Sequence, residues 1–244
     1  MSGAPPREPL RERLAALLDS LGLEPSTPSP CPYLRGRDSR LVVVRPERMV
    51  AVLYHAFLDL NFRRLGQVVY RPQCEGCSEC RQLRLRVADF APNRAQRRCR
   101  RRNADVSAAV GRPEPTDEKL EVYRRYLQAR HDGQMSGSRE EFVNFLHDAA
   151  PFTEEVVFRA HGRLVGAGVF DTTRLALSAV YYYFDPELSN RSPGVFNVLW
   201  LVEECRRRGV PWLYLGYHVA GSPAMAYKAG LAATELLGDD GEWR

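Results

Sequence analysis

Lysine is almost missing from this chain: of its 35 basic residues only Lys119 and Lys228 are lysines. So strong a bias reads as genomic composition. It weakens any inference from a single arginine and draws attention to each lysine that is kept. Long apolar runs are missing too, and none approaches the roughly 18 residues that a membrane-spanning helix needs. Met1–Pro9 carries no apolar segment of the secretory kind, so the sequence predicts a cytoplasmic protein with no membrane contact. There is no G-x-S-x-G, which excludes a nucleophile-elbow hydrolase, and no internal repeat, which excludes a solenoid. Acidic residues are nearly absent between Asp89 and Asp105.

What is present suits a soluble domain with an anionic partner. The 244 residues allow one large domain or two small ones, and the net charge of +5 favours polyanions without requiring them. The stretch from Ser178 to Tyr217 organises the rest. Ser178 to Phe184 is β-branched and aromatic, a strand signal ended by Asp185-Pro186. Gly194 opens a helix with Val195, Val198, Leu199, Val202 and Cys205 on one side, closed by Gly209 and Pro211. Trp212 to Leu215 is a second strand. Such a crossover presents side chains to ligand at its strand ends, here Gly216-Tyr217-His218.

The remaining elements follow in order. Residues 1–30 are a short amphipathic helix and a Pro-rich linker. Residues 31–110 hold short strands at 41–44, 68–71 and 83–87, a helix from Pro46 to about Asp59, the cysteines, and a basic helix capped by Asn93. Residues 111–244 hold a helix from Thr116 to about His131 and another from Ser138 through His147 with a capping box at Glu141. A hairpin turning at His161-Gly162 and a third strand lead into the central unit. The tail supplies a last helix and strand. The fold class expected is α+β: an N-terminal cysteine-containing α/β part followed by a GNAT-like, acetyltransferase-like mixed-sheet domain. A generic α+β domain is the alternative.

Two clusters carry most of the chemistry. Arg94, Arg97, Arg98, Arg100, Arg101 and Arg102 crowd one helix, and all but Arg100 share a broad face. Like charges at these spacings repel, so a polyanion such as a nucleic-acid backbone is the expected partner; a solvated face is the alternative. Cys74, Cys77 and Cys80 have the spacing of part of an iron–sulfur site, with Cys31 a distant fourth ligand, and zinc would accept the same thiolates. The other reading is a reduced, packed loop. Cys99 and Cys205 read as small core residues. Tyr181, Tyr182 and Tyr183 put rings on both strand faces. His131 is accounted for by the helix end at which it stands.

Together these segments resemble the arginyl-tRNA–protein transferase family, and more closely its bacterial leucyl-transferring branch. The resemblance rests on CPYL at Cys31, YRPQCEGCSECRQLR from Tyr70, FAPNRAQRRCRRRNAD from Phe90, YLQARH from Tyr126, LSAVYYYFDP from Leu177, RSPGVFNVLW from Arg191, LYLGY from Leu213 and MAYKAG from Met225. It implies transfer of an aminoacyl group, leucine in that branch, from tRNA to the α-amine of proteins that begin with Asp or Glu, marking them for degradation. The donor is already an activated ester, so positioning and oxyanion stabilisation suffice, with no covalent enzyme intermediate and no cofactor for the chemistry.

On this reading leucyl-tRNA lies on Arg94, Arg97, Arg98, Arg101 and Arg102. Arg71, Arg84 or Lys228 meets the acceptor's carboxylate. Tyr183, Phe196 and the Leu215–Tyr217 strand end enclose the leucyl side chain. Tyr217 and Lys228 are the catalytic candidates. The reading requires residues 94–102, the Gly194 turn and the strand end at 217 to lie on one side of the molecule. Alternatives are an arginyl donor, an acyl-CoA-dependent N-acetyltransferase, for which Asn190–Gly194 makes a poor pyrophosphate cradle, and a noncatalytic RNA-binding module.

Overall fold

The computed structural model describes residues 8–130 and 136–244; His131 lies outside them. The chain opens with α1 (Glu8–Ser20), β1 (Leu41–Val44), α2 (Ala51–Asp59), β2 (Arg63–Leu65), β3 (Val68–Pro72), β4 (Arg81–Arg86), α3 (Arg94–Arg102), β5 (Val106–Gly111) and α4 (Asp117–Arg130). It continues with β6 (Thr153–Ala160), β7 (Arg163–Thr172), β8 (Ala176–Phe184), α5 (Pro193–Arg208), β9 (Trp212–His218), a 3-10 segment Pro223–Gly230 and β10 (Thr234–Leu236). A seven-stranded sheet has the order β10-β4-β9-β8-β7-β6-β5, and a three-stranded sheet has the order β1-β3-β2. The large sheet is antiparallel except between β8 and β9. This is a mixed α/β architecture of the GNAT-like kind.

Several elements start from the residues expected. The hairpin of β6 and β7 turns at His161 and Gly162, both at positive φ (50° and 80°), as a two-residue turn matched to strand twist demands. The α3 capping box is complete: Asn93 accepts from the Gln96 amide, and Gln96 accepts from the Asn93 amide. Others differ. The helix expected from Pro46 begins at Ala51, because proline is permitted at a first turn but does not create one. The helix opened by Ser138 is α only to Phe142 and then π over Val143–His147. The large sheet takes β4 from before residue 110, and β5 runs across that position.

Two apolar layers bury the sheet. On one face α5 covers a core that includes Leu85, Phe158, Phe170, Val202, Cys205 and Cys99, the two cysteines buried as expected. On the other, α4 covers Tyr123, Phe142, Leu146, Ala167 and Tyr183. The small sheet and α1–α2 close over one end of β8 and β9 through Tyr54, Phe57, Val69, Ala176 and Tyr214. A buried bidentate pair fastens them: Arg64 Nε and Nη2 donate to Asp171 at 2.8 and 2.7 Å, and Thr153 Oγ1 donates to the same carboxylate at 2.6 Å. Among the described residues no helix is long and apolar enough to cross a membrane.

Candidate functional site

The crossover unit does what its parallel pairing promises, and then it opens. β8 and β9 pair only at Ala176–Trp212, Leu177–Leu213 and Ser178–Tyr214. Beyond that both strands bulge against their outer partners, β8 between Ala179 and Tyr181 and β9 between Tyr214 and Tyr217. Bulges bend strands and raise local twist, and here they separate β8 from β9 at the same level. The cleft between them is where the sheet's main-chain groups lose each other.

Two cations fill that loss. Arg63, on β2, donates from Nη2 to the carbonyls of Ala179 and Val180 at 3.2 and 2.9 Å. Its Cζ lies 5.7 Å from the centre of the Tyr217 ring. Gly216, at φ 71°, makes room for it: a Cβ there would stand 2.5 Å from that carbon. Lys228 donates from Nζ to the carbonyl of Leu215 at 2.8 Å and to that of Tyr217. Only 3% of Lys228 is exposed. Burial first, and the Arg63 charge second, bring its amine down to about 7. A neutral amine that gives both its protons to carbonyls keeps a lone pair, the equipment of a base.

Tyr217 is fully buried, and its hydroxyl donates to the carbonyls of Asn61 and Tyr70 at 2.9 and 3.2 Å. Burial raises its pKa well above the usual phenol value, and its single proton is held by main chain. Tyr217 therefore stands as a wall. It is the wall of a cavity of about 330 Å3 whose other sides include Tyr33, Leu65, Val68, Tyr70 and the cysteines 31, 74, 77 and 80. The charged residues on its lining are Arg37 and Asp38 alone, both exposed.

The cysteines come together around that space, but they line it. Among the described residues no group of three or more His, Cys, Asp or Glu could hold a metal ion. Cys31 Sγ accepts from the Leu34 amide at 3.4 Å and Cys74 Sγ from the Arg40 amide at 3.5 Å. Burial, with its three cysteine neighbours, pushes the Cys80 thiol up to about 12. The arrangement does not fit the expected zinc or iron–sulfur centre.

Two expectations for substrate contacts are corrected. Arg84 is not free to meet a carboxylate: it is buried, donates to Glu235 at 2.9 and 2.7 Å, and is sandwiched between Trp212 and Trp243 at 3.8 and 4.0 Å. Tyr183 and Phe196 cannot share a pocket, because they lie on opposite faces of the sheet. Tyr183 packs on Tyr123 and Phe142 under α4, and Phe196, carried by α5, packs on Phe158. Arg71 stays open, with its guanidinium 5.0 Å from the Phe62 ring in a second, polar cavity of about 400 Å3 that shares Cys74, Cys77 and Cys80 with the first.

The basic helix stands beside this cleft. Gln96, Cys99 and Asn103 form its buried stripe. Asn103 Nδ2 donates to the Arg191 carbonyl at 2.9 Å, next to the Gly194 turn, and Gln96 Nε2 to the Gly230 carbonyl at 3.2 Å, in the segment that carries Lys228. All six of its arginines face outward. Arg100 approaches Glu203 at 3.5 Å and Arg102 bonds to the Asn190 carbonyl. Among the described residues Arg94, Arg97, Arg98 and Arg101 have no acidic partner.

Sequence reasoning missed Arg63. Its one signal was a doubled arginine in a three-residue strand, unremarkable where nearly every cation is arginine.

Two family models match the chain: arginine-tRNA-protein transferase, N terminus, over residues 29–98, and arginine-tRNA-protein transferase, C terminus, over residues 118–238. It is 40% identical over 213 residues to an aspartate/glutamate leucyltransferase of Pseudomonas aeruginosa, covering 86% of this chain and 91% of that one. It is 41% identical over 221 residues to an aspartate/glutamate leucyltransferase of Halorhodospira halophila, covering 88% and 92%. Among solved structures, FemX aligns at TM-score 0.51 and 11% identity over 93% of this chain and 74% of that one. The two models together cover the three-stranded sheet, the first part of the basic helix and the cleft, and the chain belongs to the arginine-tRNA-protein transferase family.

Proposed function

We propose that the protein transfers leucine from leucyl-tRNA to the N-terminal α-amine of proteins that begin with Asp or Glu, marking them for degradation in the cytoplasm. The relatives' name supports the donor and acceptor. The observation that carries the mechanism is Lys228, a buried amine near neutrality on the edge of a splayed strand. The acceptor's α-amine attacks the ester carbonyl carbon; the C–N bond forms and the bond to the ribose oxygen breaks. Lys228 takes the proton the amine sheds and returns it to the departing oxygen, so no covalent enzyme intermediate is needed.

The leucyl side chain enters the cavity walled by Tyr33, Val68, Tyr70 and Tyr217, which is apolar and large enough for it. An arginyl donor would need a buried carboxylate, and the single acid on that lining, Asp38, is exposed. The tRNA backbone lies on Arg94, Arg97, Arg98, Arg101 and Arg102, a salt-sensitive and sequence-tolerant contact. Arg71 supplies positive potential along the acceptor's approach. An acyl-CoA donor is disfavoured because Pro193 opens α5 without an amide proton and Arg63 already holds the exposed carbonyls of β8.

The test is to offer the protein leucyl-tRNA, arginyl-tRNA or acetyl-CoA with a peptide that begins with Asp. Leucine on the peptide amine is the expected product. Arginine or acetyl transfer contradicts the donor, and tRNA binding without transfer contradicts the enzyme.

A further inference from the structure

Three arginines point inward around β2 and β4, and two of them have carboxylate partners, one buried and one half-buried. Arg64 grips Asp171 with both ends of its fork, and Arg84 grips Glu235. Arg63 has none: among the described residues no carboxylate lies within ion-pair distance of it. The ionisable groups that act on it most are the phenols of Tyr70, Tyr33, Tyr217 and Tyr54. Among the described residues its hydrogen bonds use Nη2 alone, which leaves the Nη1 and Nε edge of the fork unspent there. Withdrawing a guanidinium from water without a counter-ion is costly. A cation kept that way at the mouth of a cleft awaits an anion.

Geometry says which anion. In an N-terminal Asp or Glu the side-chain carboxylate lies only about 4–6 Å from the α-amine. The cation that reads it must therefore stand within one side chain of the group that takes the amine's proton. Arg84 is spent, and Arg71 faces the other cavity. Arg63 shares the cleft with Lys228: its guanidinium packs on Gly216, and Lys228 Nζ bonds to the carbonyls of the residues on either side, Leu215 and Tyr217. Its planar fork suits bidentate recognition of a carboxylate.

We propose that Arg63 is the residue that reads the acceptor: its open edge takes the side-chain carboxylate of an N-terminal Asp or Glu and so sets the α-amine beside Lys228. The assignment rests on the leucyl-transfer reading above. It also gives the cleft a reason to be built from two segments: β2 brings the reader, and the segment after β9 brings the base.

The experiment compares peptides that begin with Asp or with its neutral isostere Asn, using leucyl-tRNA and the full chain as wild type, Arg63→Met and Arg63→Lys. Removing one partner of a desolvated charge pair should lower kcat/KM for the Asp peptide by about 100-fold in Arg63→Met. The slow rate with the Asn peptide should fall far less, since only the influence of Arg63 on Lys228 and on the β8 carbonyls is lost there, so the preference collapses. Arg63→Lys, which keeps the charge but not the fork, should lose about 10-fold on Asp alone, and it carries the test if Arg63→Met does not fold. Equal losses on both peptides would show that Arg63 serves the chemistry or the fold and would overturn the assignment, as would an intact Asp preference in Arg63→Met. Transfer to neither peptide by the wild type overturns the leucyl-transfer reading itself, and this assignment with it.

Discussion

Both lysines that survive in this arginine-rich chain are buried, and they differ in company. Lys119 is paired with Glu155; Lys228 holds two main-chain carbonyls and faces another cation. Arginine could make the same hydrogen bonds, but its guanidinium stays protonated and cannot accept a proton. We therefore expect Lys228→Arg to lower single-turnover leucyl transfer by about 100-fold while leaving tRNA affinity unchanged. The active form is the neutral amine, so the wild-type rate at saturating peptide should rise with pH through about 7 and level off, and Lys228→Arg should lose that limb. The same shift affects stability. Because the folded value lies below the ordinary 10.5, the unfolded chain binds more protons between about 7 and 10.5. The contribution of Lys228 to stability is therefore poorest below pH 7 and improves as pH rises across that window. The role was partly legible, since a retained lysine stood out. Arg63 was not, because its meaning lies in the missing counter-ion, which only the packed interior reveals.

At the scale of elements the cleft depends on how β8 and β9 diverge. Gly216 sits in left-handed backbone with the Arg63 guanidinium where its side chain would be. Gly216→Ala should cost about 1–3 kcal/mol of stability and depress transfer by displacing Arg63, read by chemical denaturation alongside the peptide assay. The basic helix is the other working element. Charge reversal at Arg97 and Arg101, both exposed and away from the Gln96–Cys99–Asn103 stripe, should weaken tRNA binding by at least about 10-fold and flatten its dependence on salt. Filter binding across a salt series would show it, and an unchanged slope would remove the helix from the interface. Period and caps announced these elements in the sequence: the Asn93 cap of α3 and the Gly209 helix end lie where the residues put them. The bulges, and so the cleft, were hidden because divergence is decided between strands and not within one. The leucyl pocket assigned to Tyr183 and Phe196 failed for a related reason. The alternation along a strand says that neighbours face opposite ways, but not which face a distant helix will cover.

Across the whole molecule the small sheet and the large one act as a unit, and a buried pair joins them. Arg64→Ala would leave Asp171 charged, fully buried and without its cation. A loss of about 3–5 kcal/mol is expected in denaturant unfolding, with transfer failing because β2, and Arg63 with it, comes loose. The division of the chain at residue 110 looked natural where cysteines and arginines gave way to strands. The large sheet draws on both sides of it, since β4 comes from the earlier part and β5 runs across residue 110. What the sequence did convey at this scale was adjacency: helix 94–102, the Gly194 turn and the strand end at 217 lie along one side, linked through Arg191 and Gly230.

The account turns on where the donor's acyl end sits. The most direct measurement is a structure of the protein with an amide-linked, non-hydrolysable leucyl-adenosine. The account predicts the leucyl side chain in the cavity walled by Tyr33, Tyr70 and Tyr217, with its carbonyl carbon within one attacking amine's reach of Lys228 Nζ. An analogue seated away from the opening between β8 and β9, with Lys228 untouched, would contradict it.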